Sequence, residues 1–375
     1  MGRFRRQSAL TIIYNNERMS EMKKKYAWLI IIAFIAIFVT AATESAAGED
    51  TRVVYLTKSM GSDYFVLMSN YLEEVCIAQG WTFSSLDANM DMETELKNME
   101  TAITQGIDLI FLNAVDSQGA LVPIMAASEA GIPVIVLDAA VTEEAPYVTT
   151  VSAANLENGI ASGRYLARTK FPDINEPIRS VHITSFLGNI ISKQQGGGLI
   201  QGIIMERTGM DFDTAAAAMD TMWSELNNIG NTKNEQANYE ILGMGVGRLR
   251  TNESQTVFED LLTTFPNINA VTGETDSMLL GAYNVTNDQG LSDTIWMAAS
   301  GSGNRQGCQA ILDGTNYLAT GLNSPKAIVR KSVEIAKEIL EGKPWDQIER
   351  LIRTDPQAIT IENVEEYLNN IDDYW

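Results

Sequence analysis

The 375-residue sequence has one histidine and two cysteines. That scarcity removes most chemistry built on those side chains. No Cys/His cluster has the closely paired spacing of a zinc site. The lone His182 sits inside the apolar stretch "SVHITSF", where a core histidine is the plain reading. Cys76 and Cys308 fall in separate helix-like segments far apart in the chain, and read as small buried apolar side chains rather than a disulfide. Cofactor loops are missing too. "GGG" at 196–198 lacks the lysine of a P-loop and reads as close packing, and "GMGVG" at 243–247 lacks dinucleotide spacing. "DMETE" at 91–95 has neither the glycine nor the ligand alternation of a calcium loop, and reads as a solvated helix start. With no nucleophile–base pair, metal set or cofactor loop, the sequence points to a binder that uses no metal or cofactor, not to an enzyme.

Positive charge is also short. Net charge is −21, which argues against nucleic acid or an anionic membrane surface as partner. Seven of the 27 basic residues, but only three of the 48 acidic ones, lie in residues 1–47. That cluster has a purpose. A lysine-rich start at 23–25, an apolar run from Ala27 to about Ala42, and the small residues Ser45, Ala46 and Ala47 form the three-part pattern of a secretory signal peptide. Cleavage is expected after Ala47. The apolar run is short for a membrane span of about 20 residues. Residues 1–18 lie upstream of good starts at Met19 and Met22 and read as a misassigned start. No cysteine closes the apolar run to carry a lipid, so the expected location is free in the periplasm.

What is present is a steady alternation. From Thr51 onward, short apolar runs such as "TRVVYLT", "IDLIFLNAV" and "IPVIVLDAA" alternate with amphipathic stretches such as "DYFVLMSNYLEEVCIAQG". Continuous apolar strands between helices argue for parallel sheets covered on both faces. The theme repeats from "SVHITSFLG" to "SPKAIVRKSVEIAKEILEGK", giving two α/β units in series. Residues 208–237 are less regular and read as an insertion containing a helix, and the tail from Pro344 is acidic and less regular.

In open α/β sheets ligands bind beyond the carboxyl ends of strands. Those ends carry Ser62, Asp63, Tyr64 and Phe65, then Asn113, then Asp138; in the second unit they carry Thr275, Asp276, Ser302 and Asn323. The set is polar, neutral to acidic, with an aromatic pair. It suits a small neutral polyol whose hydroxyls donate and accept and whose C–H faces stack on rings.

These residues resemble a known family. "DLIFLNAVDSQGALVPIMAASEAGIPVIVLDAAV", "FPNINAVTGETDSMLLGAYNVTNDQG" and "AITIENVEEYL" look like the periplasmic sugar-binding proteins of ABC importers, the ribose/galactose type with the type I periplasmic-binding fold. The resemblance spans about residues 51–368. It implies two Rossmann-like lobes with parallel sheets, joined by a three-strand hinge that closes on ligand. It places the first lobe at 51–153 plus 324–345, the second at 154–323, and the tail at 346–375 returning across the hinge. It implies a sugar or polyol ligand, an ABC permease of the inner membrane as partner, and a monomer.

Carried over by residue, the resemblance puts a ring sandwich on Tyr64 and Phe65, the preceding polar position on Ser62 and Asp63, and the strand-end asparagine on Asn113. Asp138 would accept sugar hydroxyls; the alternative is that it caps the following segment or ties down a loop. The second-lobe half departs. Ala139 and Gln195 stand where arginines are usual, with Lys193 two residues before Gln195. Thr275-Asp276 replaces an Asn-Asp pair, Ser302 an aspartate, and Asn323 a glutamine. Leu249, flanked by Arg248 and Arg250, replaces an aromatic. Trp223 in the insertion is either a replacement ring or core packing. A modified sugar or another polyol fits such changes. The same fold also serves chemoreceptors or sensor kinases, or takes a non-sugar molecule such as a nucleoside.

Overall fold

Runs such as "RVVYL" and "LIFL" put large apolar side chains on alternate faces of one strand, so both faces need cover. In the computed structural model, which describes residues 51–139 and 141–375, such runs form two sheets. The expected signal peptide and the question of the early start lie outside the described residues. The first sheet holds β1 (Arg52–Thr57), β2 (Thr82–Asp87), β3 (Leu109–Asn113), β4 (Val134–Leu137), β5 (Thr149–Ser152) and β12 (Leu351–Arg353). Its order is β12-β5-β4-β3-β1-β2, with every pair parallel. The second holds β6 (Ile178–Thr184), β7 (Thr232–Asn234), β8 (Tyr239–Val246), β9 (Ala270–Thr275), β10 (Trp296–Gly301), β11 (Tyr317–Gly321) and β13 (Ala358–Thr360). Its order is β13-β11-β10-β9-β6-β8-β7, antiparallel only at the edge strands β13 and β7.

Helices α1 (Asp63–Ala78), α2 (Met92–Thr104), α3 (Leu121–Glu129) and α10 (Pro325–Leu340) pack on the first sheet. Val53, Tyr55, Phe111 and Ile135 meet Met68 of α1 and Val329 of α10 on one face. Val54, Leu56, Ile110 and Val136 meet Met99 of α2 and Ile124 of α3 on the other. The two-residue alternation in the sequence is thus the two-faced core itself. Helices α4 (Asn155–Lys170), α5 (Ile190–Thr208) and α6 (Phe212–Ile229) cover one face of the second sheet. Helices α7 (Thr251–Thr264), α8 (Asp276–Asp288), α9 (Arg305–Leu312) and α11 (Val364–Asn369) cover the other.

The glycines of "GGGLIQG" do packing work. A Cβ on Gly198 would sit 2.5 Å from the Leu156 carbonyl oxygen and one on Gly202 2.2 Å from that of Ile160, so α4 and α5 touch backbone to backbone. On another side of α5, Gly196 receives the Trp223 ring and Gly197 the Met219 sulfur. Residues 208–237 are therefore more regular than their sequence suggested: a long helix and an edge strand, β7, extend the second lobe. Three-residue strands such as β7, β12 and β13 hold too few alternations to be legible in sequence. Cys76 and Cys308 are both buried and free.

The chain passes between the sheets three times, at 153–154, 322–324 and 354–357. Asn158, fully buried in the first turns of α4, staples these crossings. Its Nδ2 donates to the Leu322 carbonyl at 2.7 Å, and its Oδ1 accepts from Gln357 N–H at 2.8 Å. Leu322 N–H in turn donates to the Gln357 carbonyl.

Candidate ligand site between the lobes

The site begins with an unusual backbone. Asp138 follows β4 with φ +44°, in the left-handed region that a residue with a Cβ seldom adopts. Its N–H donates to the Val151 carbonyl. Buried Asn113, at the end of β3, donates from Nδ2 to the Leu137 carbonyl at 2.7 Å. Asn113 therefore supports the turn that aims Asp138. Its Oδ1 is buried with no hydrogen-bond partner among the described residues, an open acceptor beside the site.

Asp138 is partly exposed as a residue, while protein surrounds its carboxyl. That confinement raises its pKa from the ordinary aspartate value to about 6, against the opposing pull of Lys58, Tyr64 and Asn323. Tyr64, in the first turn of α1, donates its hydroxyl to Asn323 Oδ1 at 2.7 Å. Burial raises the Tyr64 phenol pKa, and the adjacent Asp138 charge adds to the shift. Asn323 belongs to the second crossing between lobes, and its N–H donates to the Ser302 carbonyl at 3.2 Å. Gln195 reaches the same neighbourhood from α5: a Cβ on Gly301 would lie 3.8 Å from its Nε2 and 3.4 Å from Asn323 Cβ. Gln195 Nε2 itself donates to Asn155 Oδ1 at 3.3 Å. Tyr64, Asp138, Asn323, Ser302 and Gln195 therefore converge from both lobes on the hinge.

Two groups that the strand-end survey passed over belong here. Lys58 directly follows β1 and holds its ammonium 4.8 Å from the centre of the Phe65 ring. Burial lowers its pKa, opposed by the charges of Asp138 and Glu95. Glu95 is buried on α2, accepts from Val115 N–H at 2.7 Å, and has its pKa raised by burial. The first lobe thus carries a carboxyl–ammonium–carboxyl series under the site. A lysine at a strand end was visible in "YLTK"; that it lies in the field of Asp138 and of Glu95 on a helix was not. The other group is Trp375, whose ring lies 5.8 Å from that of Tyr64.

Chemically, the arrangement offers acceptors at Asp138, Asn113 and the Tyr64 oxygen, a donor at Lys58, amides at Gln195 and Asn323, and ring surface at Tyr64 and Phe65. No group of His, Cys, Asp or Glu among the described residues has the geometry to hold a metal. The model of the periplasmic binding protein domain matches residues 53–344.

The chain belongs to the periplasmic binding protein family.

Relatives of this periplasmic binding protein include the ribose import binding protein RbsB of Salmonella typhimurium, 24% identical over 320 residues, which are 85% of this chain and 94% of that protein. A solved structure from Mycobacterium smegmatis in complex with β-D-fucofuranose superposes with a TM-score of 0.71 at 21% identity, covering 86% of this chain and 95% of that one. The Caulobacter myo-inositol binding protein superposes with a TM-score of 0.70 at 19% identity, covering 86% and 98%. Family membership makes the protein a solute binder rather than an enzyme. Among the described residues no helix is long and apolar enough to cross a membrane.

Other expected positions of this periplasmic binding protein lie elsewhere. Ser62 caps the start of α1 without a side-chain cap bond, and Asp63 is exposed. Tyr64 and Phe65 meet edge to face, 5.3 Å apart at 88°, rather than as parallel walls. Asp276 is fully buried with both oxygens engaged inside the second lobe, by the Tyr317 hydroxyl and the Asn304 N–H, each at 2.7 Å. Thr275 Oγ1 is buried with no partner among the described residues. Leu249 packs on its own lobe's core. Trp223 is core, 5.8 Å from His182. His182 is buried as expected but incompletely satisfied: Nδ1 pairs with Thr272 Oγ1 at 2.9 Å, while Nε2 has no hydrogen-bond partner among the described residues.

Proposed function

We propose that this protein is a periplasmic receptor that takes a neutral sugar or cyclitol between its lobes and delivers it to an ABC permease. The observation that carries the reading is the convergence at Asp138. The carboxyl of a partly exposed residue lies beside Tyr64 of the first lobe and Asn323 of the crossing, and beyond the carboxyl ends of the strands. Those groups complement vicinal hydroxyls, each of which donates once and accepts twice. Sugar and cyclitol ligands named for the relatives agree with that chemistry. The ligand residues in this reading are Asp138, Tyr64, Phe65, Asn113, Lys58, Gln195, Ser302 and Asn323. Export by the N-terminal signal, removal after Ala47 and a monomeric mature form complete it.

A thermal-shift screen of the chain from Gly48 onward tests it, with D-ribose, D-allose, L-arabinose, myo-inositol and nucleosides as probes. A probe at about 100 times its dissociation constant stabilises the folded state by about 2.7 kcal/mol. The expected outcome is a hit among the sugars or cyclitols that D138A abolishes. A hit confined to nucleosides, or one indifferent to D138A, overturns the assignment.

A further inference from the structure

Residues 361–375 do more than end the last strand. Val364, Tyr367 and Ile371 are buried in the second lobe's core. The Tyr367 hydroxyl donates to the Gly303 carbonyl at 2.7 Å, and Tyr367 stacks on Tyr374, 5.0 Å apart at 29°. From that anchor the segment reaches across the hinge. The Tyr374 carbonyl accepts from the Ser324 hydroxyl at 2.8 Å, and the Asp372 carbonyl accepts from Lys326 Nζ at 2.6 Å, both at the start of first-lobe helix α10. Trp375 makes contacts on both sides at once. Its indole N–H donates at 3.2 Å to the Ser302 carbonyl, the oxygen that also receives Asn323 N–H. Its ring meets Tyr64 of the first lobe at 68°. Tyr64 is the residue whose hydroxyl joins Asn323 beside Asp138.

We propose that this segment is a strap between the lobes and that Trp375 at its tip is a ligand-contact residue, forming the hinge-side wall of the site. The proposal rests on reading the cleft as the ligand site. The indole is oriented by its bond to Ser302, and it remains half-buried because its near-perpendicular meeting with Tyr64 leaves ring surface uncovered. Aromatic faces take the C–H face of a ring and repel anions. Leu249, where the resemblance expects an aromatic, packs on its own lobe's core instead. The ligand class that fits is a neutral pyranose or cyclitol with one apolar face, its hydroxyl edge on Asp138.

Two measurements on wild type, W375A and W375F decide this. The first is amide hydrogen exchange of the ligand-free protein. W375A is expected to speed exchange in 61–66 and 321–326, on both sides of the hinge, with W375F between; unchanged exchange in 61–66 overturns the strap. The second is calorimetric titration with myo-inositol, D-allose and D-ribose, with D138N as control. For a probe that wild type binds, W375A is expected to lose about tenfold in affinity and W375F less. An affinity in W375A within about twofold of wild type, or tighter, overturns the wall. Binding indifferent to D138N, or no binding of any probe by wild type, overturns the underlying ligand reading, and the exchange result then stands alone for the strap.

Discussion

Asp138 is the residue on which the site turns, and its ionisation has two consequences of opposite sign. Its pKa in the folded protein is raised from 3.8 to about 6. The ionised form is therefore disfavoured by folding, so the stabilisation Asp138 gives the unliganded protein is full below 3.8 and is lost as pH rises through about 6. A ligand whose hydroxyls donate to the carboxylate needs the ionised form. Affinity is expected to be full above neutrality and to fall by up to about tenfold per pH unit below the pKa, a dependence that D138N removes. Titration calorimetry across that range checks it. Lys58 sharpens the test. Its charge lowers the Asp138 pKa, so K58M is expected to move the midpoint of the binding profile upward. A midpoint that stays in place would separate Lys58 from the site.

At the scale of elements, the hinge and the α4–α5 contact concentrate the risk. Asn158 bonds to both of the other crossings, through Leu322 and Gln357. N158A leaves the buried Leu322 carbonyl and the part-buried Gln357 N–H without those bonds, and is expected to cost about 2 kcal/mol in stability by chemical denaturation. N158D keeps the acceptor for Gln357 but sets a buried carboxylate oxygen against the Leu322 carbonyl, and is expected to cost at least as much. Gly163 on α4 tests the backbone contact. A Cβ there would lie 2.3 Å from the Leu199 carbonyl oxygen, an atom that cannot step aside without moving α5. G163A is expected to destabilise by about 2 kcal/mol despite its better helix propensity. A stabilised G163A would mean that the two helices are free to spread.

The described residues form two sheets that share three crossings, so lobe motion is the natural response to a ligand held between them. Small-angle scattering is expected to show a smaller radius of gyration with a bound sugar than without, and no change for D138N under the same conditions. At this scale much was legible in sequence. Alternating apolar runs and amphipathic helices specify local pattern, and local pattern is set by periods of two and 3.6 residues that any window of the chain displays. Two parallel α/β lobes, polar strand ends and an acid after "IPVIVL" follow from it. Direction and partnership do not. Asp276 and Asp138 both stand just past the carboxyl end of a strand of an α/β lobe, yet Asp276 is engaged by the Tyr317 hydroxyl and Asn304 N–H while Asp138 is a partly exposed residue near the hinge. Lys58 gains its meaning from Glu95 on another element, and Tyr64 from Asn323, 259 positions away. The sequence by itself determined the elements, the two lobes and the place of an acid after "IPVIVL". Which polar groups meet at the hinge, and that Trp375 reaches Tyr64, was decided only by tertiary packing, because side-chain direction at a strand end depends on distant segments that no local window contains.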